Sequence, residues 1–257
     1  MPGLRIVSLA PSATSILCGI GARSLLAGVT KWCADVAPVG RLPRVGDCWA
    51  GDVSEVLALR PDLVIGSVPY KPDMVTKLVE QPFRFLAMNP RTLADIEADI
   101  RLLGGLTGRR RNAQRLVLGM RHGFAAIQAK TRHARKRPRV YCEAWPQPRI
   151  SSPPWVGELV HIAGGEMVLP AGSRVSDEQV AQALPEVIVL AWAASGEKAK
   201  PETAKGVAAW RDVPAIRDNE VHVVRDEWLN TPGPPLVRGA KELFRILRAY
   251  EARRGGR

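Results

Sequence analysis

Residues 4–21 read LRIVSLAPSATSILCGIG. Leu4–Leu9 is a short apolar run with Ile6 and Val7 at its centre, the pattern of a strand buried on both faces. Ser12 is placed to cap a helix that runs on to Gly21, a residue suited to the left-handed turn that ends helices. The stretch therefore predicts a strand, a tight turn and a helix, the opening unit of an α/β sheet.

The same alternation continues outward. Leu25–Val29, Asp62–Gly66 and Phe83–Ala87 predict further strands. Asp52-x-x-Glu55 reads as a capping box opening a helix to Leu59, and Thr92 caps an amphipathic helix to about Leu103, closed by Gly104-Gly105. Residues 109–135 combine helix formers with apolar positions at Leu116, Val117, Met120, Phe124 and Ile127. They predict one helix of about 40 Å, ended by Pro138. A second block repeats the alternation. It has strands at Arg139–Glu143, Glu186–Ala191 and Glu220–Val224, helices at Trp155–Ala163 and Gly233–Arg254, and a second capping box at Ser176-x-x-Gln179. The Arg-Arg-Gly-Gly-Arg tail is expected to fray. Strands separated by helices imply mainly parallel sheets. The expected organisation is an N-terminal α/β lobe at 1–108, a connecting helix at 109–137 and a C-terminal α/β lobe at 138–257.

Composition narrows the function. The 257 residues carry 37 Lys and Arg against 25 Asp and Glu, a net charge of +12. Eleven of the basic residues lie between Arg109 and Arg139, where there is no acid. Removing them leaves 26 against 25. The excess charge belongs to one element, whose residues 109–139 offer an alternative reading as an interaction or nucleic-acid-binding module. A solvated helix face is the commoner explanation, since Phe124 is its one aromatic residue and nucleic acid is not the expected partner. No apolar run approaches the roughly 18 residues of a membrane span. Nothing before Leu4 resembles a leader, so the sequence as written reads as cytoplasmic. A start further upstream would instead make the protein periplasmic.

No enzyme is expected. G-x-S-x-G, H-E-x-x-H and a P-loop are absent, and Gly19-Ile-Gly21 does not extend to a dinucleotide fingerprint. Cys18, Cys33, Cys48 and Cys142 show no zinc-like spacing, so no structural metal or cofactor is expected. They read as free thiols in a reducing compartment, with Cys33 and Cys48 the candidate pair after export. The strongest site signal is tryptophan. Trp32, Trp49, Trp145, Trp155, Trp192 and Trp228 all fall in or beside loops that follow predicted strands, while Trp210 does not. Loops at the carboxyl ends of strands form the binding edge of such sheets, and tryptophans there suit a large, planar, partly apolar ligand.

The segments RIVSLAPSAT (5–14), GVTKW (28–32) and LPRVGDCWAGDVSEVLALRPDLVIG (42–66) resemble the first lobe of the cobalamin-binding substrate proteins of bacterial ABC importers. RPRVYCEAWPQPRISSPPWVGELVHIAGGEMV (137–168), SRVSDEQVAQALPEVIVLAW (173–192) and VVRDEWLNTPGP (223–234) resemble the second. The wider family also contains binders of haem and siderophores. The resemblance implies a monomer of two lobes bridged by one helix, with a corrinoid held between them as ligand and handed to importer membrane subunits. It implies ligand contacts at Trp32, Trp49, Ser151, Ser152, Asp226 and Trp228. It also implies that Glu55 and Glu178 present carboxylates to arginines of the importer. Two departures, Cys33 and Cys48 beside the first-lobe tryptophans, together with Cys142 raise a second possibility, a thiolate as an axial ligand to cobalt; packing as small buried groups is the commoner fate of such cysteines and the reading preferred here. His161 and His222 are the other candidates, with His161 more simply structural.

Overall fold

The computed structural model describes residues 3–133, 136–193 and 199–255. The chain divides into two compact units, Met1–Gly119 and Met120–Arg257, each with its own sheet.

In the first unit the chain forms β1 (Ile6–Ser8), α1 (Pro11–Gly19), β2 (Leu26–Thr30), β3 (Arg44–Val45), α2 (Val53–Ala58), β4 (Leu63–Ser67), α3 (Pro72–Val79), β5 (Arg84–Met88) and α4 (Leu93–Leu106). Strand order is β3-β2-β1-β4-β5, and every pairing is parallel. The opening stretch lies at the centre of this sheet. Ile6, Val7, Val64 and Ile65 are fully buried, as their apolar runs require. Because β2 leaves β1 on one side and β4 on the other, the β1/β4 boundary is a topological switch point, the usual place for a ligand in such sheets.

Local chemistry differs from expectation at three helix ends. Ser12 does not cap α1: the helix starts at Pro11, whose fixed φ suits the first position, and Ala10 precedes it without a side-chain cap. Gly21 is the left-handed stop, at φ 75°. Asp52 caps α2 through the Ser54 N–H, but Glu55 does not complete a box with it. Gly104-Gly105 does not close α4, which continues to Leu106 and stops at Gly108, φ 69°. Gly104 instead permits a close approach, since a Cβ there would stand 2.4 Å from the Cβ of Ala113.

The next helix, α5 (Arg110–Thr131), runs from one unit into the other. Its 22 residues span about 33 Å, shorter than the sequence implied, and it ends well before Pro138. Arg135 lies outside the described residues. Ala113, Val117, Met120 and Ile127 are buried, whereas Arg110, Arg111 and Arg115 are exposed.

The second unit continues with β6 (Arg139–Pro146), β7 (Arg149–Ser151), α6 (Pro154–Ile162), β8 (Glu166–Met167), α7 (Asp177–Gln182), β9 (Val187–Leu190), α8 (Pro201–Lys205), α9 (Pro214–Arg217), β10 (Val221–Val223), α10 (Asp226–Leu229) and α11 (Leu236–Gly255). Its sheet runs β10-β9-β6-β7, with β8 also on β6. Among the strand pairings of the described residues, the β6–β7 hairpin is antiparallel and the others are parallel. That hairpin extends β6 three residues beyond the expected Glu143, so Trp145 stands in a strand. At the tail, Arg253 and Arg254 belong to α11 and pair with Glu220 and Glu186 where fraying was expected, and residues 256 and 257 lie outside the described residues.

Candidate functional site

In the first unit, two tryptophans lie on loops at the carboxyl edge of the sheet. Trp32 follows β2, half-buried, with the Lys31 ammonium 4.4 Å from its ring centre. Trp49 follows β3 and is 57% exposed. Its loop is tightly built. The Asp47 carboxylate accepts the N–H groups of Trp49 and Ala50, both at 2.9 Å, and Gly51 N–H donates to the Asp47 carbonyl at 3.0 Å. A Cβ on Gly46 would fall 2.2 Å from the Gly51 Cα, so this narrow neck requires glycine. Glu55 closes the same loop: its Oε2 accepts the Gly46 N–H at 2.9 Å while the residue stays exposed.

Beneath these loops lies a buried polar row. The Thr14 hydroxyl is 2.8 Å from Ser8 Oγ, and Cys33 Sγ sits 3.0 and 3.2 Å from the hydroxyls of Thr14 and Thr30. Ser12 and Ser67, flanking the switch point, are buried with hydroxyls that meet no partner among the described residues. Tyr70, after β4, was not singled out from the sequence. It is half-buried and donates to the Met88 carbonyl at 2.9 Å.

The cysteines sit as the simpler reading expected, free and packed as small groups, and nothing in their surroundings favours an axial thiolate. Cys33, Cys48 and Cys142 are buried, and all four cysteines are free, Cys33 and Cys48 included. Burial raises the Cys33 thiol above its ordinary pKa and pushes Cys48 and Cys142 up to about 12. Neutral, enclosed thiols are poor soft donors, so they pack as small apolar groups.

The second unit sorts its tryptophans differently. Trp145 is 41% exposed, with its indole N–H bonded to the Gln147 carbonyl at 2.8 Å. Trp228 lies half-buried on α10, the Arg225 guanidinium 5.6 Å from its ring, and Asp226 is half-buried in the first turn of that helix. Trp155 cannot line a binding surface. It is 2% exposed, and its indole N–H is committed to the Leu229 carbonyl at 2.8 Å. Ser151 closes β7, accepting the Ser173 N–H at 3.1 Å, so it belongs to the strand rather than to a free loop. Ser152 is fully buried and its hydroxyl has no partner among the described residues. His161 is exposed at the end of α6, and His222 Nε2 lies 3.0 Å from Glu220.

Trp192, at the end of β9, is 7% exposed and donates its indole N–H to Glu143 at 2.9 Å. Glu143 is fully buried, and its other oxygen accepts Tyr141 OH at 2.8 Å and Arg149 at 2.6 Å. Burial pushes the Glu143 carboxyl up, opposed by the Arg149 charge and by these donors. Arg149 also bonds Asp177 at 2.7 Å and stacks 4.3 Å from the ring centre of Trp210. Trp210 is buried edge-on to Tyr141 and donates to the Asp177 carbonyl. Sequence reasoning missed this cluster. Its signal was present: Glu143 is an acid directly after the buried run Val140-Tyr141-Cys142, and such a group needs a cation.

Glu178 follows Asp177 in the first turn of α7 and is exposed. Ser176 holds its carboxyl below the usual range. Ser176 and Gln179 form the expected capping box.

Two mainly parallel sheets flanked by helices, with tryptophans near the carboxyl ends of their strands, are an α/β arrangement suited to holding a ligand. The chain belongs to the periplasmic binding protein family, whose model matches residues 6–227. It is 26% identical over 93% of its length to an uncharacterized ABC transporter substrate-binding lipoprotein, YvrC, of Bacillus subtilis, covering 78% of that protein. It is 26% identical over 98% of its length to the vitamin B12-binding protein of Vibrio parahaemolyticus, covering 92% of it. Among solved structures, the fold matches the periplasmic vitamin B12 binding protein BtuF of Vibrio cholerae with TM-score 0.78 and 24% identity, over 97% of this chain and 98% of that one. It also matches the periplasmic heme-binding protein RhuT of Roseiflexus sp. RS-1, with TM-score 0.81 and 20% identity, over 96% and 99%. No helix among the described residues is long and apolar enough to cross a membrane.

Proposed function

We propose that the chain captures a corrinoid and delivers it to an ABC-type importer, without chemistry. The observation that carries this reading is the set of tryptophans left at least partly accessible near strand ends, Trp32 and Trp49 after β2 and β3 in one unit, and Trp145 on the β6–β7 hairpin and Trp228 on α10 in the other. Indole rings offer a large, rigid, partly apolar contact at little conformational cost. A corrinoid's rim carries neutral amides, which the loops' backbone groups and hydroxyls are suited to meet. The vitamin B12-binding relative, matched over nearly its whole length, supports the same class.

Haem is the second reading, favoured by one feature. Lys31 and Arg225 stand beside Trp32 and Trp228, where they would suit the carboxylates of a porphyrin. Titration with aquacobalamin, haemin and a ferric siderophore, followed by tryptophan quenching, separates the readings. Saturable quenching by aquacobalamin is expected, and a flat trace would defeat the corrinoid assignment. Glu55 and Glu178, exposed at the first turns of α2 and α7, are proposed to dock the importer's membrane subunits. Glu55→Arg with Glu178→Arg should abolish importer stimulation and leave ligand affinity within about twofold; undiminished stimulation would remove the docking role.

A further inference from the structure

An unbroken chain of bonds joins Asp177 to Trp192. Asp177 Oδ1 accepts Arg149 Nε at 2.7 Å, Arg149 Nη1 reaches Glu143 Oε2 at 2.6 Å, and Glu143 Oε1 accepts Trp192 Nε1 at 2.9 Å. One end is open and the other closed: the Asp177 side chain is 43% exposed, whereas that of Glu143 is fully buried. We infer that the Asp177–Arg149–Glu143 chain couples the acidic start of α7 to Trp192, so that a cation engaging Asp177 loosens the grip on that indole. The inference rests on the proposed docking role of α7 and on Trp192 itself as a ligand contact. Glu143 and Arg149 are then positioning residues.

The direction follows from charge. Arg149 shares one guanidinium between two carboxylates, and Trp210 fixes both the face of that guanidinium and the Asp177 carbonyl, so the pair has little freedom to drift. An importer arginine that takes up the Asp177 charge leaves Arg149 with Glu143 alone. The carboxylate's charge is then drawn toward Oε2, where Arg149 and Tyr141 already donate, and away from Oε1, where Trp192 donates. The indole bond weakens. By linkage, whatever docking does to ligand affinity, ligand must do equally to docking affinity.

Asp177→Asn tests this on the whole chain, because the amide oxygen still accepts from Arg149 while the charge is gone. In ligand-free protein the Trp192 indole N–H resonance should move upfield, and that of Trp145, bonded to Gln147, should stay. Asp177→Asn should weaken aquacobalamin binding about fivefold, and that loss should vanish in a Trp192→Phe background. An unmoved Trp192 resonance, or equal losses in both backgrounds, would overturn the coupling. If the wild-type chain binds neither aquacobalamin nor haemin, the ligand reading fails, and the resonance alone still decides the coupling.

Discussion

The two units hold their tryptophans by opposite means. The first turns Trp49 outward on a glycine-necked loop fixed by backbone N–H groups on Asp47 and Glu55, all near the surface. The second turns Trp192 inward onto a buried carboxylate that needs Arg149 to be tolerable at all. A surface loop gives each indole freedom to meet a ligand at small cost, because water satisfies whatever the loop does not. A buried ion pair gives a fixed orientation, because losing any member strands a charge. The units therefore anchor these tryptophans differently: surface carboxylates holding backbone N–H groups in the first, a buried ion pair in the second.

Removing the carboxylate from the second unit gives the largest expected effect. Glu143→Ala should cost about 3–5 kcal/mol in urea unfolding, since Arg149 is left buried without its nearest partner. A cost below about 1 kcal/mol would mean that no charge is stranded there. The matching change in the first unit is Gly46→Ala. The added Cβ has Gly51 backbone at 2.2 Å, so the neck must open, at about 1–3 kcal/mol. Trp49 quenching by ligand should fall while the Trp192 resonance stays in place.

How much of this contrast could be read in the sequence depends on range. β1, β4 and β9 were legible because each is a run of apolar residues with one possible fate. β3, β7 and β8 were not, because each is two or three residues holding a charged one (Arg44, Arg149, Glu166) rather than part of an apolar run. The tryptophans were legible as strand-end residues, but not their exposure. Trp155 is buried because its N–H finds the Leu229 carbonyl, 74 residues away, and no local pattern announces that bond. Gly104 misled for the same reason, since its role is set by Ala113 on the next helix. For the cysteines the sequence left packing and ligation as alternatives, with packing preferred, and burial is what separates them.

A third test uses acids in place of tryptophans. Asp99, half-buried on α4, has no cation bonded to it among the described residues, and burial pushes it up to about 6, with Asp95 adding to the shift. Glu143 has Arg149. The folded state thus holds the Asp99 proton more tightly than the unfolded chain does. Stability from this group is full below about pH 4 and is lost as pH rises through 6. Asp99→Asn should add about 1 kcal/mol at pH 7.5, a figure reduced for the group's partial exposure, and nothing at pH 4. A pH-independent difference would show that Asp99 is not the acid responsible.

The smallest effect separates the two duties of Glu55. In the first unit one carboxylate both closes the Trp49 loop and is proposed to meet the importer, whereas in the second Asp177 holds the network and Glu178 stands free of it in the next position. Glutamine keeps an oxygen able to accept the Gly46 N–H but removes the charge, and alanine removes both. Glu55→Gln should therefore leave ligand affinity unchanged and weaken importer stimulation, while Glu55→Ala should weaken ligand binding about threefold as well, the scale of one surface hydrogen bond. Glu178→Gln and Glu178→Ala should behave alike, since no loop hangs on that side chain. If Glu55→Ala matched Glu55→Gln in ligand affinity, the Gly46 bond would be incidental, and the first unit's tryptophan would owe its position to Asp47 and the glycine neck alone.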